Sequence, residues 1–245
     1  MKNYLTRQKK LILALNNTKN FFLNNYFCLS LIIAISLSFT FYSGFRGVFP
    51  IDSFLIFNSG YNVSNNIHPF KDYWSITGPV LDYLQAIFFF IFGFNWHSYV
   101  LHAAILNTIL SISIFYLFKS FNVNIFFSTI FAISVGILAY PSIGTPFVDH
   151  HATIFCTLSV SFAILGLINN KSKFWIISSL LIVLAFFSKQ VPSAYILIFL
   201  ISTLFIKYFF IQKDKSALYF FYGLLFGLLI FFLILILFII SFQNF

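Results

Sequence analysis

The sequence predicts an all-α membrane protein: a bundle of about seven transmembrane helices, with juxtamembrane helices in a long first outer loop. Composition is the first observation behind this prediction. Hydrophobic residues make up 60% of the 245 residues, aromatic residues 22% and charged residues only 8%. A soluble domain carries about 25% charged residues, so this chain has too few charges to cover a surface in water. Its aromatic content also excludes a disordered chain.

Long apolar segments are the second observation. A spanning helix needs about 20 mostly apolar residues, and the predicted spans are 26–45, 98–118, 124–140, 151–168, 174–188, 194–211 and 218–241. The first span follows a basic stretch, residues 1–25, which has no small-residue cleavage site. We therefore expect a basic cytoplasmic N-terminus and a retained anchor, followed by a single membrane domain over residues 26–245.

The distribution of basic residues predicts the topology. One further apolar run, Leu84–Phe94, is short and has polar flanks. If it does not cross, 11 of the 14 basic residues lie with the N-terminus, and the exceptions are Arg46, Lys71 and Lys189. The positive-inside rule favours this arrangement, with the N-terminus cytoplasmic in the cell (inner) membrane. Residues 78–94 then form a helix at the outer membrane surface, and the net charge of +9 signals orientation rather than nucleic-acid binding.

Four of the five acidic residues fall in the two predicted outer loops, 46–96 and 141–150. They are Asp52, Asp72, Asp82 and Asp149. Carboxylates are costly near a bilayer, so their gathering on one side predicts a functional site there. Asp52 is either part of that site or the cap of a short helix over residues 53–59.

Three more polar groups accompany these acids. Asp149 precedes His150 and His151, a triplet that suits a metal ion, a phosphate or a proton relay, or else a helix cap followed by interfacial histidines. Lys189 lies between two spans and either snorkels to lipid headgroups or binds an anionic ligand. Within the spans, Asn107 and Thr108 are expected to donate hydrogen bonds between helices.

Two segments resemble a known superfamily. They read HPFKDYWSITGPVLDYLQAIFFFIFG over residues 68–93 and PSIGTPFVDHHATIF over residues 141–155. Together with an acidic residue just after the first span, they resemble the GT-C polytopic glycosyltransferases. The resemblance is to bacterial members similar to protein O-mannosyltransferases and to aminoarabinose transferases of lipid A. It covers roughly residues 26–195.

The resemblance implies an inverting membrane glycosyltransferase. Such an enzyme transfers a sugar from a polyprenyl-phosphate-linked donor to an acceptor at the outer face of the membrane. It implies catalytic roles for Asp52 and Asp149, which are also the ligands of a divalent metal if one is used. It implies donor-phosphate binding by Lys71 and Lys189. We expect support from the neighbouring polar residues Asp72, His150, His151 and Gln190.

Two features bear on alternatives to a transferase. Several family members carry Asp-Glu where this chain has Asp52-Ser53, and members are commonly longer, so we expect either a minimal catalytic core or a piece of a longer protein. The alternatives are a non-catalytic or degenerate membrane subunit and a lipid or solute transporter. The spans carry almost no charge, which disfavours transport.

Overall fold

A computed structural model of the chain describes residues 24–48, 52–75, 77–140, 144–211 and 215–240. These residues form a helical bundle with no β-strand among the described ranges. The predicted basic N-terminus, residues 1–25, lies almost entirely outside them. The helices are α1 (Asn25–Ser43), α2 (Asp52–Ser64), α3 (Val80–Phe92), α4 (Trp96–Ser120), α5 (Ile125–Leu138), α6 (Val148–Asn169), α7 (Ser172–Ser188), α8 (Gln190–Ile206) and α9 (Tyr219–Ile240).

Each of the seven predicted spans corresponds to one of these helices. Five segments are long and apolar enough to cross a membrane: Asn25–Ser43, Trp96–Ser120, Val148–Asn169, Gln190–Phe210 and Lys215–Ile234. Three apolar helices are shorter, namely α3, α5 and α7. The fold is thus the predicted helical membrane bundle. A helix as short as α3, 13 residues, extends about 20 Å, less than the roughly 30 Å of a hydrocarbon core.

At one end of the bundle, the segments that follow α1, precede α6 and follow α7 come together. We call this the Gly44 end. The Trp96 indole N–H donates to the Gly44 carbonyl across 2.9 Å, so the segment between α1 and α4 leaves and returns at the same end. The Tyr99 hydroxyl donates to the Pro146 carbonyl at 3.3 Å. The Gly78 N–H donates to the Ser188 carbonyl at 3.1 Å. Three chain segments therefore meet where α1 and α7 end.

Two glycines permit this close meeting. Gly144 has φ +63°, and a Cβ there would lie 2.4 Å from the Thr40 carbonyl oxygen. At Gly78 a Cβ would lie 1.7 Å from the Phe187 carbonyl oxygen. Backbone packs directly against backbone at both places, which only glycine allows.

The opposite end, the Asn25 end, is where basic residues collect. The Lys119 ammonium donates to Asn25 Oδ1 at 3.1 Å, and Lys207 donates to Asn170 Oδ1 at 3.3 Å. The basic residues of this end within the described ranges are Lys119, Lys171, Lys173, Lys207 and Lys215. At the Gly44 end they are Arg46, Lys71 and Lys189. The bundle is therefore polarised along its axis.

Polar side chains also tie the spans together inside the bundle. Asn107 on α4 donates to Thr40 Oγ1 and to the Gly136 carbonyl, both at 2.7 Å, which confirms the predicted interhelical role. For Thr108 the same prediction is wrong. Its hydroxyl donates to the Ala104 carbonyl of its own helix at 2.7 Å, because a threonine hydroxyl reaches the carbonyl four residues before it.

Candidate functional site at the Gly44 end

An ion pair joins two of the predicted site residues. Lys189 occupies the N-cap position of α8, and its ammonium donates to a carboxylate oxygen of Asp149 in the first turn of α6. The two side chains are 35% and 46% exposed, respectively, so the pair remains open to an incoming ligand. The interpretation of Asp149 as a helix cap is wrong. Phe147 occupies that position, and the Asp149 carboxylate is bonded to Lys189.

A cavity of about 380 Å³ opens beside this ion pair. Asp149, His150, Thr153 and Thr157 line one side of it along α6, a stretch of about 12 Å at the helical rise per residue. The opposite side is apolar. It is formed by the α4 and α5 residues Leu110, Ile114, Val135 and Ala139. The cavity thus has a charged group at one end and an apolar wall along its length.

The two histidines that follow Asp149 face different surroundings. His150 lines the cavity and packs its ring against Tyr140 and Phe147, with centroid distances of 5.6 and 5.4 Å. His151 is fully buried. Its Nδ1 lies 3.0 Å from the Phe147 carbonyl, and its ring packs edge-on against His102 at 4.8 Å. Of the two predicted supporting histidines, His150 therefore accompanies the ion pair and His151 lies inside the bundle.

The remaining predicted residues occupy other positions near the Gly44 end. Asp52 is the first residue of α2, and its side chain is outside the described part of the chain. Gln190 is the exposed first residue of α8, next to Lys189. Asp72 closes a turn, because its Oδ2 accepts from the His68 N–H at 2.7 Å and its own N–H donates to the His68 carbonyl at 2.9 Å. Lys71 is exposed on that turn.

One of the four outer acids, to which the sequence assigned no individual role, is buried between α2 and α3. Asp82 is 2% exposed, and its two carboxylate oxygens accept from Ser59 Oγ at 2.7 Å and from the Tyr73 hydroxyl at 3.1 Å. Burial raises the pKa of this carboxyl to about 6, although both hydrogen bonds act in the opposite direction. A lone acid before an apolar run is the sequence signal. Its partners, 23 and nine residues away, are visible only in the fold.

The described side chains around Asp149 do not form a metal-binding cluster. Within the described ranges, no three His, Cys, Asp or Glu side chains gather closely enough to hold a metal ion. The carboxylate of Asp149 is bonded to an ammonium instead.

Comparison of the sequence with known protein families finds a match. The sequence model of the family described as dolichyl-phosphate-mannose-protein mannosyltransferase matches residues 76–240. No curated protein and no solved structure matches the chain. The matched region contains Asp149, Lys189 and the cavity beside them, and it covers well over half of the chain. The chain therefore belongs to the dolichyl-phosphate-mannose-protein mannosyltransferase family of membrane glycosyltransferases.

Proposed function

We propose that the chain transfers a sugar from a polyprenyl-phosphate-linked donor to an acceptor at the outer face of the membrane. One observation carries the proposal: a charged ion pair stands at the end of an apolar cavity between membrane helices. A polyprenyl phosphate has the matching chemistry, a charged phosphate joined to a hydrocarbon chain. The first isoprene units would occupy the groove between α4, α5 and α6, and the phosphate would lie near Lys189.

The ion pair suits the phosphate for an electrostatic reason. Lys189 neutralises Asp149, so an anion approaching the pair meets no net negative charge. An ammonium has three donors, and one of them is used by Asp149. The other two are available to phosphate oxygens. The exposed fractions of both side chains, 35% and 46%, leave room for that approach.

Chemistry at this end requires a base and a stabilised leaving group. The acceptor hydroxyl attacks the anomeric carbon and loses its proton to a carboxylate, for which we propose Asp52. The bond between that carbon and the phosphate oxygen breaks, and the polyprenyl phosphate leaves with its charge stabilised by Lys189. A single displacement of this kind inverts the anomeric configuration. Asp149 holds the Lys189 ammonium in place, while Lys71, Asp72, His150 and Gln190 support the site.

The orientation is part of the proposal. Five of the eight basic residues within the described ranges lie at the Asn25 end, and the positive-inside rule assigns that end to the cytoplasm. The Gly44 end, with Asp149 and Lys189, then faces outwards. The N-terminus lies in the cytoplasm, and the protein resides in the cell (inner) membrane.

A transfer assay tests the proposal. Membranes containing the protein are given polyprenyl-phosphate-[³H]mannose, and tritium in the acceptor fraction is counted. We expect Asp52→Asn and Asp149→Asn to lower the transfer rate at least about 100-fold, the scale of a lost acid–base or charge-stabilising group. Lys189→Gln should lower it similarly, whereas Lys171→Gln should not, although Lys171 is also a helix N-cap residue. Parental rates in both aspartate variants would exclude these roles.

A further inference from the structure

A second cavity, of about 210 Å³, lies between α2 and the segment that leads into α3. Its polar lining comes from both sides: Asn58, Ser59 and Asn62 on α2, and Tyr73, Trp74 and Asp82 across from them. The cavity is separate from the groove beside Asp149, with which it shares no lining residue. Its lining contains two asparagine amides and an indole, which the groove beside Asp149 lacks.

The floor of this cavity is a buried carboxylate with unused capacity. Asp82 accepts one hydrogen bond from Ser59 and one from Tyr73. An ionised carboxylate offers about four acceptor positions, so about two remain for a ligand. Asn58 and Asn62 stand one helical turn apart on α2, and each amide both donates and accepts. Acceptors and donors in this arrangement match adjacent hydroxyl groups.

The rim of the cavity carries an exposed aromatic ring. The Trp74 side chain is 81% exposed, and the edge-on contact with Phe70, at a centroid distance of 6.1 Å, supports it. An apolar flat surface beside a cluster of polar groups is complementary to a pyranose ring. Such a ring has a C–H face and a periphery of hydroxyls.

Size limits the ligand to one ring. Pockets for drug-sized molecules have about 300–1,000 Å³, and this cavity is smaller. A lipid tail therefore does not fit inside it, and an oligosaccharide can place only one of its rings there. We propose that this cavity binds a single sugar ring, with Trp74 against its C–H face and Asp82, Asn58 and Asn62 on its hydroxyls.

The position of the cavity relates it to the proposed transfer reaction, on which this inference rests. Thr77 lines the cavity and precedes Gly78, whose N–H is bonded to the Ser188 carbonyl next to Lys189. On the other side, Asp52 begins the helix that contributes Ser59. The sugar belongs either to the lipid-linked donor or to a glycosylated acceptor. Both sources present the same ring chemistry.

Quenching of tryptophan fluorescence by acrylamide tests this inference. Of the three tryptophans, Trp74 is the most exposed and Trp175 is buried at 1%, so a bound ring should protect Trp74 from the quencher. In detergent, the purified protein is titrated with polyprenyl-phosphate-mannose, with polyprenyl phosphate alone and with a mannose oligosaccharide that carries no lipid. If polyprenyl-phosphate-mannose protects Trp74 and the other two ligands do not, the bound ring is the donor sugar. Protection by the oligosaccharide identifies an acceptor sugar.

Variants separate this cavity from the phosphate site. We expect Asn62→Ala to weaken the protective ligand about ten-fold, the scale of one or two lost hydrogen bonds. Asn65→Ala is the matched control, because Asn65 is an exposed amide beside α2 that does not line the cavity. Trp74→Ala, studied by calorimetry, should weaken the same ligand similarly. Equal affinities in Asn62→Ala, Trp74→Ala and the parent would overturn the sugar site. If polyprenyl phosphate alone still bound through Lys189, the proposed function would stand.

Discussion

Lys189 and Asp149 lie 40 residues apart in the chain, and their pairing gives each side chain a defined position at the Gly44 end. Both side chains are partly exposed. Exposed ion pairs contribute little to folding, typically about 1 kcal/mol or less, because water screens the charges. The pair is therefore better suited to ligand binding than to holding α6 against α8.

The exposure of the ion pair predicts how Lys189→Gln affects stability. We expect its free energy of unfolding in detergent to differ from that of the parent by less than about 1 kcal/mol. Thermal unfolding followed by circular dichroism measures the difference, and Lys171→Gln is the control at the opposite end. A much larger loss in Lys189→Gln alone would mean that the pair holds the fold together.

Asp82 makes stability depend on pH. Burial raises the pKa of its carboxyl in the folded protein to about 6 from 3.8, so between these values the folded state binds the proton more strongly than the unfolded state. Stability is therefore expected to fall as the pH rises from about 4 to about 6 and to level off above that. The full change corresponds to about 3 kcal/mol, from about two pKa units.

Two substitutions test whether Asp82 causes this fall in stability with rising pH. In chemical unfolding at a series of pH values, Asp82→Asn should remove the decline between pH 4 and 6. Ser59→Ala should move the end of the decline to higher pH, because the Ser59 hydrogen bond lowers the pKa of Asp82. A decline that persists unchanged in Asp82→Asn contradicts the assignment.

Residue type and local spacing indicated part of the candidate site. Carboxylates and lysines placed beside apolar spans indicated Asp149 and Lys189 separately. Their mutual bond depends on how α6 packs beside α8, which no local pattern contains. Thr108 shows the converse error, since its hydroxyl donates to a carbonyl of its own helix. Asp82 was counted among the outer acids, but its burial depends on the packing of α2 against α3.

At the scale of elements, the short helices α2 and α3 matter most because they line the proposed sugar-binding cavity. The segment that leads into α3 also contacts α7. The Gly78 backbone makes this connection through its hydrogen bond to Ser188. The segment can approach α7 only because position 78 has no side chain. A methyl group there would overlap the Phe187 carbonyl, at 1.7 Å.

Gly78→Ala should therefore displace the segment from α7. We expect it to destabilise the protein by more than about 1 kcal/mol, as overpacked sites do, and to lower sugar transfer. Gly47→Ala is a matched control, because a Cβ at position 47 has nothing within 4 Å. Thermal unfolding and the transfer assay measure both variants. Indistinguishable behaviour of the two would mean that the contact with α7 does not matter.

Apolar runs predicted a helix at each of the seven expected spans because burial in lipid requires helices, although α5 and α7 are shorter than the other five. The ends of the helices were less predictable. The helix after Asp52 extends to Ser64, well beyond the Ser59 expected from its cap. A helix end depends on tertiary contacts as well as on local signals. Here Ser59 is held by Asp82 in the middle of α2 rather than at its end.

For the whole molecule, the uneven distribution of basic residues predicts that the Asn25 end faces the cytoplasm and the Gly44 end faces outwards. The native cysteines, Cys28 and Cys156, are both buried and should not react with a membrane-impermeant maleimide. A cysteine in place of exposed Asn65 should react in intact cells. A cysteine in place of exposed Lys173 should react only after permeabilisation. The reverse pattern would place the ion pair and the sugar cavity in the cytoplasm and contradict the proposed outer-face reaction.

Lys189 is proposed to hold the phosphate of a lipid carrier, and binding of that carrier tests this role without requiring turnover. Native mass spectrometry of the purified protein with polyprenyl phosphate measures the bound fraction directly. We predict that the parent and Lys171→Gln retain the lipid equally and that Lys189→Gln retains about ten-fold less, as expected for one lost charge-assisted hydrogen bond. Equal retention by Lys189→Gln and the parent would contradict the phosphate-binding role of Lys189.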